Sequence, residues 1–166
     1  MGVEVRSARL VDVRAIRALV DGYAEKRILL AKELVHLYED VQDFVVAEDE
    51  HGTVVGCGAL HPLWEDIAEV RTVAVDPSVR GRGVGSLLMG ELVARARNLG
   101  VGRVFVLTFE VTFFERHGFH EIEGTPVSPE VYAEIRSSFD EGVAEFLDLE
   151  RVKPNTLGNH RMLVVL

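Results

Sequence analysis

The sequence predicts a single α/β domain, spanning residues 1–166, in which helices flank a mixed, mainly antiparallel sheet. A length of 166 residues suits one domain with a sizeable core. The composition, 48% hydrophobic and 27% charged, is typical of a globular protein. β-like runs cluster before a central amphipathic helix and alternate with helices after it. That order favours a mixed sheet with helices packed against it.

The first half of the chain contains four β-like runs and two helix-like runs. "VEVRSA" alternates like a strand, and Asp12 is placed to cap the helical run "VRAIRALVDGYAE". A second helical pattern, "ILLAKELVHLYEDV", follows it. The runs "DFVVAE" and "TVVGCGAL" are joined by "DEHG", which is typical of a hairpin turn. "AEVRTVAV" then predicts the next strand.

The second half begins with the amphipathic helix "GSLLMGELVARARNLG", which Gly100 is placed to end. Its predicted core-facing residues recur at helical spacing: Leu88, Leu92, Ala96 and Leu99. "RVFVL" predicts a strand, and "VTFFERHGF" predicts a short helix that ends at Gly118. Ser128 and Pro129 open another helix, and "RMLVVL" is the last predicted strand.

Charge and composition exclude several classes of function. The net charge of −9 disfavours general nucleic-acid binding, because nothing would neutralise the phosphates. No apolar run is long enough for a membrane span, and the N-terminus lacks a signal-peptide pattern, so we expect a cytoplasmic protein. Cys57 is the only cysteine, which rules out an intramolecular disulfide. Six histidines are scattered through the chain, and their spacing predicts no metal site.

The stretch "VDPSVRGRGVGSLL" places a glycine-rich, basic loop between a strand and a helix. Glycines let the backbone approach a ligand, and the first N–H groups of a helix attract anions, so the loop suits a phosphate or pyrophosphate. A solvated basic turn is the alternative. Ser86 stands where a Rossmann motif needs its third glycine, and the G-K-[ST] of a P-loop is absent. The spacing that fits is Arg80-x-x-Gly83-x-Gly85.

This loop resembles the acetyl-CoA loop of the GCN5-related N-acetyltransferases (GNAT), as do "TVAVDPSVR" before it and "FFERHGF" after it. The resemblance implies a GNAT-like fold and acetyl-CoA as co-substrate, with no metal. It implies that the N–H groups of residues 82–86 hold the pyrophosphate, and that a strand splayed from its neighbour holds the pantetheine arm. The implied coenzyme-binding residues are Val73, Ala74, Val75, Arg80, Gly81, Arg82, Gly83, Val84, Gly85, Ser86 and Phe114.

A narrower resemblance is to the bacterial N-acetylglutamate synthases, in their short form without a kinase domain. "RILLAKELVHLYEDVQDFVVAE", "GCGALHP", "RVFVLT" and "FFERHGF" occur in this order, and Asn159–Leu163 stands in place of their last strand. The resemblance implies acetylation of the α-amino group of L-glutamate, with L-glutamine as the second choice, in the first step of arginine biosynthesis. Residues 123–158 are longer and more acidic than in that family.

The implied reaction is direct attack by the amine, without an acyl-enzyme, so Cys57 is expected to be a buried core residue. Strand periodicity predicts that Glu69, Arg71, Val73 and Val75 share one face. Glu69 is therefore the candidate general base, with Glu110 as a weaker alternative. An ordinary Glu69–Arg71 ion pair is the structural alternative.

Phe114 occupies the position at which many relatives carry a tyrosine that protonates the leaving thiolate. Either water or another group supplies that proton, or the protein is a non-catalytic acyl-CoA sensor.

The candidate acceptor-binding residues are Lys32, Arg71, Thr108, Asn159 and Arg161, and for each charged one a solvated surface charge is the alternative. Acetylation of another amine, such as a polyamine, an antibiotic or a protein N-terminus, is the competing enzymatic hypothesis. The expected partner is a small amino acid rather than nucleic acid or a membrane, and a homodimer is compatible with the sequence.

Overall fold

The computed structural model describes residues 2–26, 33–147 and 159–166. The strands are β1 (Val3–Ser7), β2 (Phe44–Asp49), β3 (Val54–Trp64), β4 (Ile67–Val75), β5 (Arg103–Thr108), β6 (His120–Glu121) and β7 (His160–Val165). The α-helices are α1 (Val13–Ala24), α2 (Leu34–Glu39), α3 (Val84–Leu99), α4 (Val111–Arg116), α5 (Pro129–Ile135) and α6 (Glu141–Phe146). Short 3-10 turns are Leu10–Asp12, Val41–Asp43 and Pro77–Val79.

The strands form one sheet in the order β1-β2-β3-β4-β5-β7-β6. Only β4 and β5 pair in parallel among these described neighbours, and the other pairs are antiparallel. The predicted α/β architecture with a mixed, mainly antiparallel sheet is confirmed. Within the described ranges, no helix combines the length and the apolar character needed to cross a membrane.

Helices α3 and α4 cover one face of the sheet. Leu88, Met89 and Leu92 of α3 and Phe114 of α4 are buried in one core cluster with side chains of β2, β4, β5 and β7. Gly56 and Gly58 of β3 allow the close approach of α3, because a Cβ at Gly58 would lie 2.9 Å from a methyl carbon of Leu92. This packing fixes the start of α3 beside the end of β4.

Two smaller clusters cover the opposite face. Near β2 and β3, Ile16, Val20 and Leu37 of α1 and α2 pack against the sheet. Near β5 and β7, Ile135 of α5 and Phe146 of α6 pack against it, and the Phe146 ring meets the edge of a β5 phenylalanine ring. The two clusters leave room between them for polar side chains of β3 and β4.

Two local predictions were wrong. Leu99 does not face the core: its side chain is exposed, because it lies at the last residue of α3, where the helix leaves the sheet. Asp12 precedes α1 but makes no side-chain cap, since its carboxylate pairs with Arg6 and accepts from the N–H of Arg9. The helix α6 and the short strand β6 were not predicted.

A β-bulge in β4 overturns the predicted shared face. Cys57 pairs with Ala74 and Ala59 with Arg71, so two residues of β4 lie opposite one residue of β3. Thr72, within the bulge, has φ +58°. The extra residue reverses the alternation, so Val73 and Val75 pack on the α3 side, whereas Glu69 and Arg71 face α6.

Candidate active site

The parallel strands β4 and β5 part at the centre of the sheet. They pair from Ile67 to Val70, opposite Arg103 to Val106. β4 continues to Val75 and β5 to Thr108 without further pairing between them. The expected splay is therefore present, and the backbone of residues 71–75 offers its β5-side polar groups to a ligand.

The glycine loop lies at the end of β4 and leads directly into α3. Gly81 and Gly83 have φ of +80° and +79°, and Gly83 immediately precedes the helix. A Cβ at Gly83 would meet no heavy atom within 4 Å, so glycine is needed there for backbone conformation and not for lack of space. The first-turn N–H groups of α3 have no partners within the helix, so this arrangement suits a phosphate or pyrophosphate.

A tyrosine of α1 ties the loop to β4. The Tyr23 hydroxyl donates to the carbonyl of Val75 at 2.7 Å and accepts from Arg80 Nη2 at 3.3 Å. Sequence reasoning missed this link. The available signal was that Tyr23 continues the apolar row of Ile16 and Val20, and a partly buried tyrosine hydroxyl usually finds a partner.

Helix α4 packs against the first turn of α3. A Cβ at Gly85 would lie 3.3 Å from the ring of Phe113, and Ser86 Oγ lies 3.3 Å from His117 Nε2. Partial burial, helped by Arg116, lowers the pKa of His117. Phe114 is buried in the α3-side core, edge-on to its neighbouring rings. Its role at the coenzyme stays a prediction, and its ring carries no proton donor.

On the opposite face, two acidic side chains enclose a buried arginine. Arg71 Nε donates to Glu69 Oε1 at 2.8 Å, and Arg71 Nη1 donates to Asp140 Oδ1 at 2.7 Å. The Glu69 side chain is 4% exposed and that of Arg71 is 10% exposed. Asp140 comes from the N-cap of α6, so the cluster joins β4 to a helix distant in sequence.

The two carboxyl groups are shifted in opposite directions. Burial raises the pKa of Glu69, and the Asp140 charge adds to that effect, although Arg71 opposes it. Burial acts in the same direction on Asp140, but Arg71 and His61 hold its pKa below the usual value. Environments that separate two carboxyl pKa values assign them different roles. Asp140 remains the ionised partner of Arg71, whereas Glu69 is the carboxyl better suited to take up a proton.

A histidine of β3 borders the same cluster. His61 stands opposite Glu69 in the β3–β4 register, and its Nδ1 lies 2.8 Å from Asp43 Oδ2. The His61 charge acts on both Glu69 and Asp140. The contact with Asp43 holds the imidazole ring in place at the edge of the site, so His61 does not belong to a loose surface loop.

One nitrogen of the buried arginine has no partner. Arg71 Nη2 is fully buried and makes no hydrogen bond. The guanidinium lies against the backbone of α6, because a Cβ at Gly142 would lie 2.6 Å from Arg71 Cζ. An unsatisfied buried donor is uncommon, and in this structure Nη2 is closed off from solvent as well as unpartnered.

The other predicted residues differ in their surroundings. Thr108 Oγ1 accepts from the N–H of Glu110, whose side chain is exposed at the start of α4. Arg161 donates to the carbonyls of residues 124, 145 and 146 and stacks over a phenylalanine ring, so its contacts are those of a structural tie. Asn159 Oδ1 is buried without a hydrogen-bond partner. Lys32 lies outside the described residues.

The sequence did not reveal Asp140, Gly142 or Asp43 as members of the site. Asp140 had one usable signal, since an aspartate that opens the run "EGVAEF" is a good N-cap. That signal predicts a helix but not its position over Arg71. Across residues 2–26, 33–147 and 159–166, no group of three or more potential ligands could hold a metal ion.

Comparison with known protein families gives one match over most of the chain. Residues 14–121 match the acetyltransferase (GNAT) family model. The chain is 63% identical over 164 residues to a protein named amino-acid acetyltransferase from Mycobacterium tuberculosis, which covers 98% of this chain and 94% of that protein.

Solved structures agree with this match. A Mycobacterium tuberculosis protein, crystallised in complex with CoA and NLQ, superposes with a TM-score of 0.95 at 62% identity, over 98% of this chain and 99% of that chain. A second structure is N-acetylglutamate synthase from Neisseria gonorrhoeae, complexed with coenzyme A and N-acetyl-glutamate. It superposes with a TM-score of 0.79 at 24% identity, over 100% of this chain and 35% of that chain. The second likeness shows the fold alone.

Proposed function

The chain belongs to the acetyltransferase (GNAT) family, and we propose that it transfers the acetyl group of acetyl-CoA directly to the α-amino group of L-glutamate or L-glutamine. The observation that carries this proposal is the buried Glu69–Arg71 pair where β4 leaves β5. Glu69 offers a carboxylate that can take a proton from an ammonium group. Arg71 offers a cation that can bind the carboxylate of a substrate. An α-amino acid presents both of these groups.

Coenzyme binding uses the opposite side of β4. The pyrophosphate would bind the N–H groups of residues 82–86 at the start of α3, with Arg80 beside them. The pantetheine arm would follow the unpaired edge of residues 73–75, and a β4 N–H would stabilise the charge that develops on the thioester oxygen. The related Mycobacterium tuberculosis structure contains CoA, which supports this placement.

In the reaction, Glu69 takes a proton from the acceptor ammonium, directly or through one water. The free amine attacks the carbonyl carbon, the C–N bond forms and the C–S bond breaks. Coenzyme A leaves as a thiolate, while the new amide nitrogen loses its second proton, and transfer of that proton through water converts the thiolate to the thiol. Phe114 cannot supply that proton, but a thiol with a pKa of about 8.5 is an adequate leaving group. Catalysis therefore depends mainly on position and on deprotonation of the amine.

The acceptor's second polar end decides between glutamate and glutamine. Arg71 retains an unpartnered Nη2, whereas the Arg161 donors already bind carbonyls. Asn159, which immediately precedes β7 beside the end of β5, has a buried acceptor oxygen that suits an amide N–H. A side-chain carboxylate left without a cation would be costly to bury. The described residues thus support glutamine at least as well as glutamate.

The proposal includes the chain's place in metabolism. Acetylation of glutamate would make it the first step of arginine biosynthesis, carried out in the cytoplasm by residues 1–166 as one acetyltransferase domain. The 63% identity to an amino-acid acetyltransferase supports an amino acid as the acceptor.

The test is kcat/KM with acetyl-CoA for glutamate, glutamine, aspartate, ornithine and spermidine, measured by release of free thiol. We expect glutamate or glutamine to be the best acceptor and aspartate to be poor, because its shorter side chain misplaces the second polar group. Faster turnover of ornithine or spermidine would refute the proposal and favour a cationic amine. No thiol release with any amine, despite acetyl-CoA binding, would favour a non-catalytic sensor.

A further inference from the structure

One oxygen atom joins α6 to the buried arginine. Asp140 Oδ1 accepts from Arg71 Nη1 at 2.7 Å and from the N–H of Val143 at 3.0 Å. The first contact is an ion pair with a nine-tenths buried side chain, and the second caps α6. The start of α6 and the orientation of Arg71 therefore depend on the same carboxylate.

We propose that Asp140 is a positioning residue, which fixes Arg71 against Glu69 and offsets the charge of Arg71 so that Glu69 can still accept a proton. This inference rests on the proposed function, in which Glu69 is the base. It assigns a role in the reaction to α6, which lies outside the 14–121 range of the family match.

The electrostatic argument follows from the groups that face Glu69. Arg71 lies beside it, Asp140 comes from α6, and His61 faces it from β3 with Asp43 behind. An arginine alone would hold Glu69 ionised but make it a weak base, because the guanidinium stabilises the charged carboxylate. The Asp140 charge opposes that stabilisation, and it raises the pKa of Glu69 in addition to the larger effect of burial.

The shape of α6 supports the same role. Arg71 Cζ, Nη2 and Nη1 would lie 2.6, 2.8 and 2.9 Å from a Cβ at Gly142. The guanidinium is held by Glu69 at Nε and by Asp140 at Nη1, so a shift away from α6 would disturb these two ion pairs. Glycine at position 142 thus lets the guanidinium lie at this distance from α6.

The main test compares Asp140→Asn with Asp140→Ser. Asparagine can keep the cap of α6 and accept from Arg71 but carries no charge. Serine can keep the cap but is too short to reach Arg71. In Asp140→Asn we expect kcat/KM for the best amino-acid acceptor to fall roughly 10-fold at neutral pH, less than the roughly 10²-fold that misplacement of a reacting arrangement can cost. The acidic limb of its pH profile should move to lower pH, and the KM for acetyl-CoA should stay unchanged.

Ser128→Ala is the matched control, because Ser128 caps the neighbouring α5, whereas the described hydrogen bonds of the Arg71 side chain go to Glu69 and Asp140. Ser128→Ala should lower the free energy of unfolding without moving the acidic limb of the pH profile of kcat/KM. An unmoved limb in Asp140→Asn, or an equal shift in Ser128→Ala, would overturn the inference. If wild-type protein acetylates no amino acid, the proposed function itself fails, which is a different result.

Gly142→Ala gives a second measure that keeps all the charges. It should lower kcat/KM roughly 10–100-fold by displacing Arg71, since a misplacement of about 1 Å can cost on the order of 10²-fold. Gly90→Ala in α3 is its control, since a Cβ there meets nothing within 4 Å and both variants gain helix propensity. Equal activity of the two variants would contradict the proposed role of α6.

Discussion

The two sides of β4 are built in different ways. The coenzyme side is a run of consecutive residues, 80–86, at the start of α3, which is mostly exposed apart from the buried Val84 and is shaped by backbone conformation. The acceptor side is a buried cluster, in which Glu69 and Arg71 meet His61 of β3 and Asp140 of α6. The loop should therefore tolerate changes of charge better than changes of backbone, and the cluster should show the reverse.

The largest effect should come from the charge of Glu69. Glu69→Gln keeps the shape and an oxygen that accepts from Arg71 Nε, but it removes the proton acceptor. We expect kcat to fall roughly 10²–10⁴-fold at neutral pH, the usual range for a positioned base. Raising the pH should restore part of the loss, because the amine then deprotonates in solution. The measurement is the pH profile of kcat and of kcat/KM.

The wild-type profile gives a further check with a definite sign. The pKa of Glu69 is raised, so the carboxyl becomes protonated, and useless as a base, as the pH falls through that raised value. Wild-type activity should therefore have an acidic limb that Glu69→Gln lacks. Glu110→Gln, at an exposed site, provides the discriminating comparison. A large loss there with little loss in Glu69→Gln would move the base to Glu110.

A smaller but selective effect is expected at the glycine loop. Gly83→Asp places a side chain and a negative charge at the proposed pyrophosphate site. We expect the Kd for acetyl-CoA to rise at least about 10-fold, or roughly 1.4 kcal/mol. Isothermal titration calorimetry measures the change, and the protein should remain folded, because the left-handed backbone of a non-glycine residue at this exposed position costs only about 1–2 kcal/mol.

Gly52→Asp is the matched control for backbone strain. Gly52 lies in the β2–β3 turn with φ +79°, the same value as Gly83, and a Cβ there also meets nothing within 4 Å. Both variants therefore pay the same kind of left-handed backbone cost. Unchanged coenzyme affinity in Gly83→Asp, or equal weakening in both, would remove the loop from the coenzyme site.

The same contrast explains how much the sequence could predict. The glycine loop, α3, the hairpin and the last strand are set by local patterns, and their positions were predicted to within a few residues. The Glu69–Arg71 ion pair, which local alternation offered as the alternative to a catalytic Glu69, is present. These features depend on residues that are close together along the chain.

What could not be predicted depends on contacts between distant residues. The bulge at Thr72 needs a left-handed threonine, which sequence patterns disfavour, and it is defined by the register in which β3 pairs with β4. Asp140 reaches Arg71 only because Phe146 and Ile135 seat α6 and α5 on the sheet. The contacts of Arg161 with the carbonyls of residues 124 and 145 likewise could not be read from the sequence, and its role as a substrate ligand stays a prediction.

The smallest effect on activity should come from Cys57, which lies on β3 opposite the bulge in β4. Its side chain is fully buried, burial raises the pKa of the thiol to about 12, and its Sγ donates weakly to the carbonyl of Thr72 at 3.5 Å. A thiol of that kind is a poor nucleophile, so direct transfer does not need it.

Cys57→Ala should keep kcat within about 2-fold, since rate losses from a positioned catalytic group begin near 10²-fold. It should lower the free energy of unfolding by about 1 kcal/mol, as expected for a small buried truncation. Steady-state kinetics and urea unfolding measure the two quantities. Loss of activity in a folded variant, together with a labelled acetyl group trapped on wild-type Cys57, would show an acyl-enzyme and refute direct transfer.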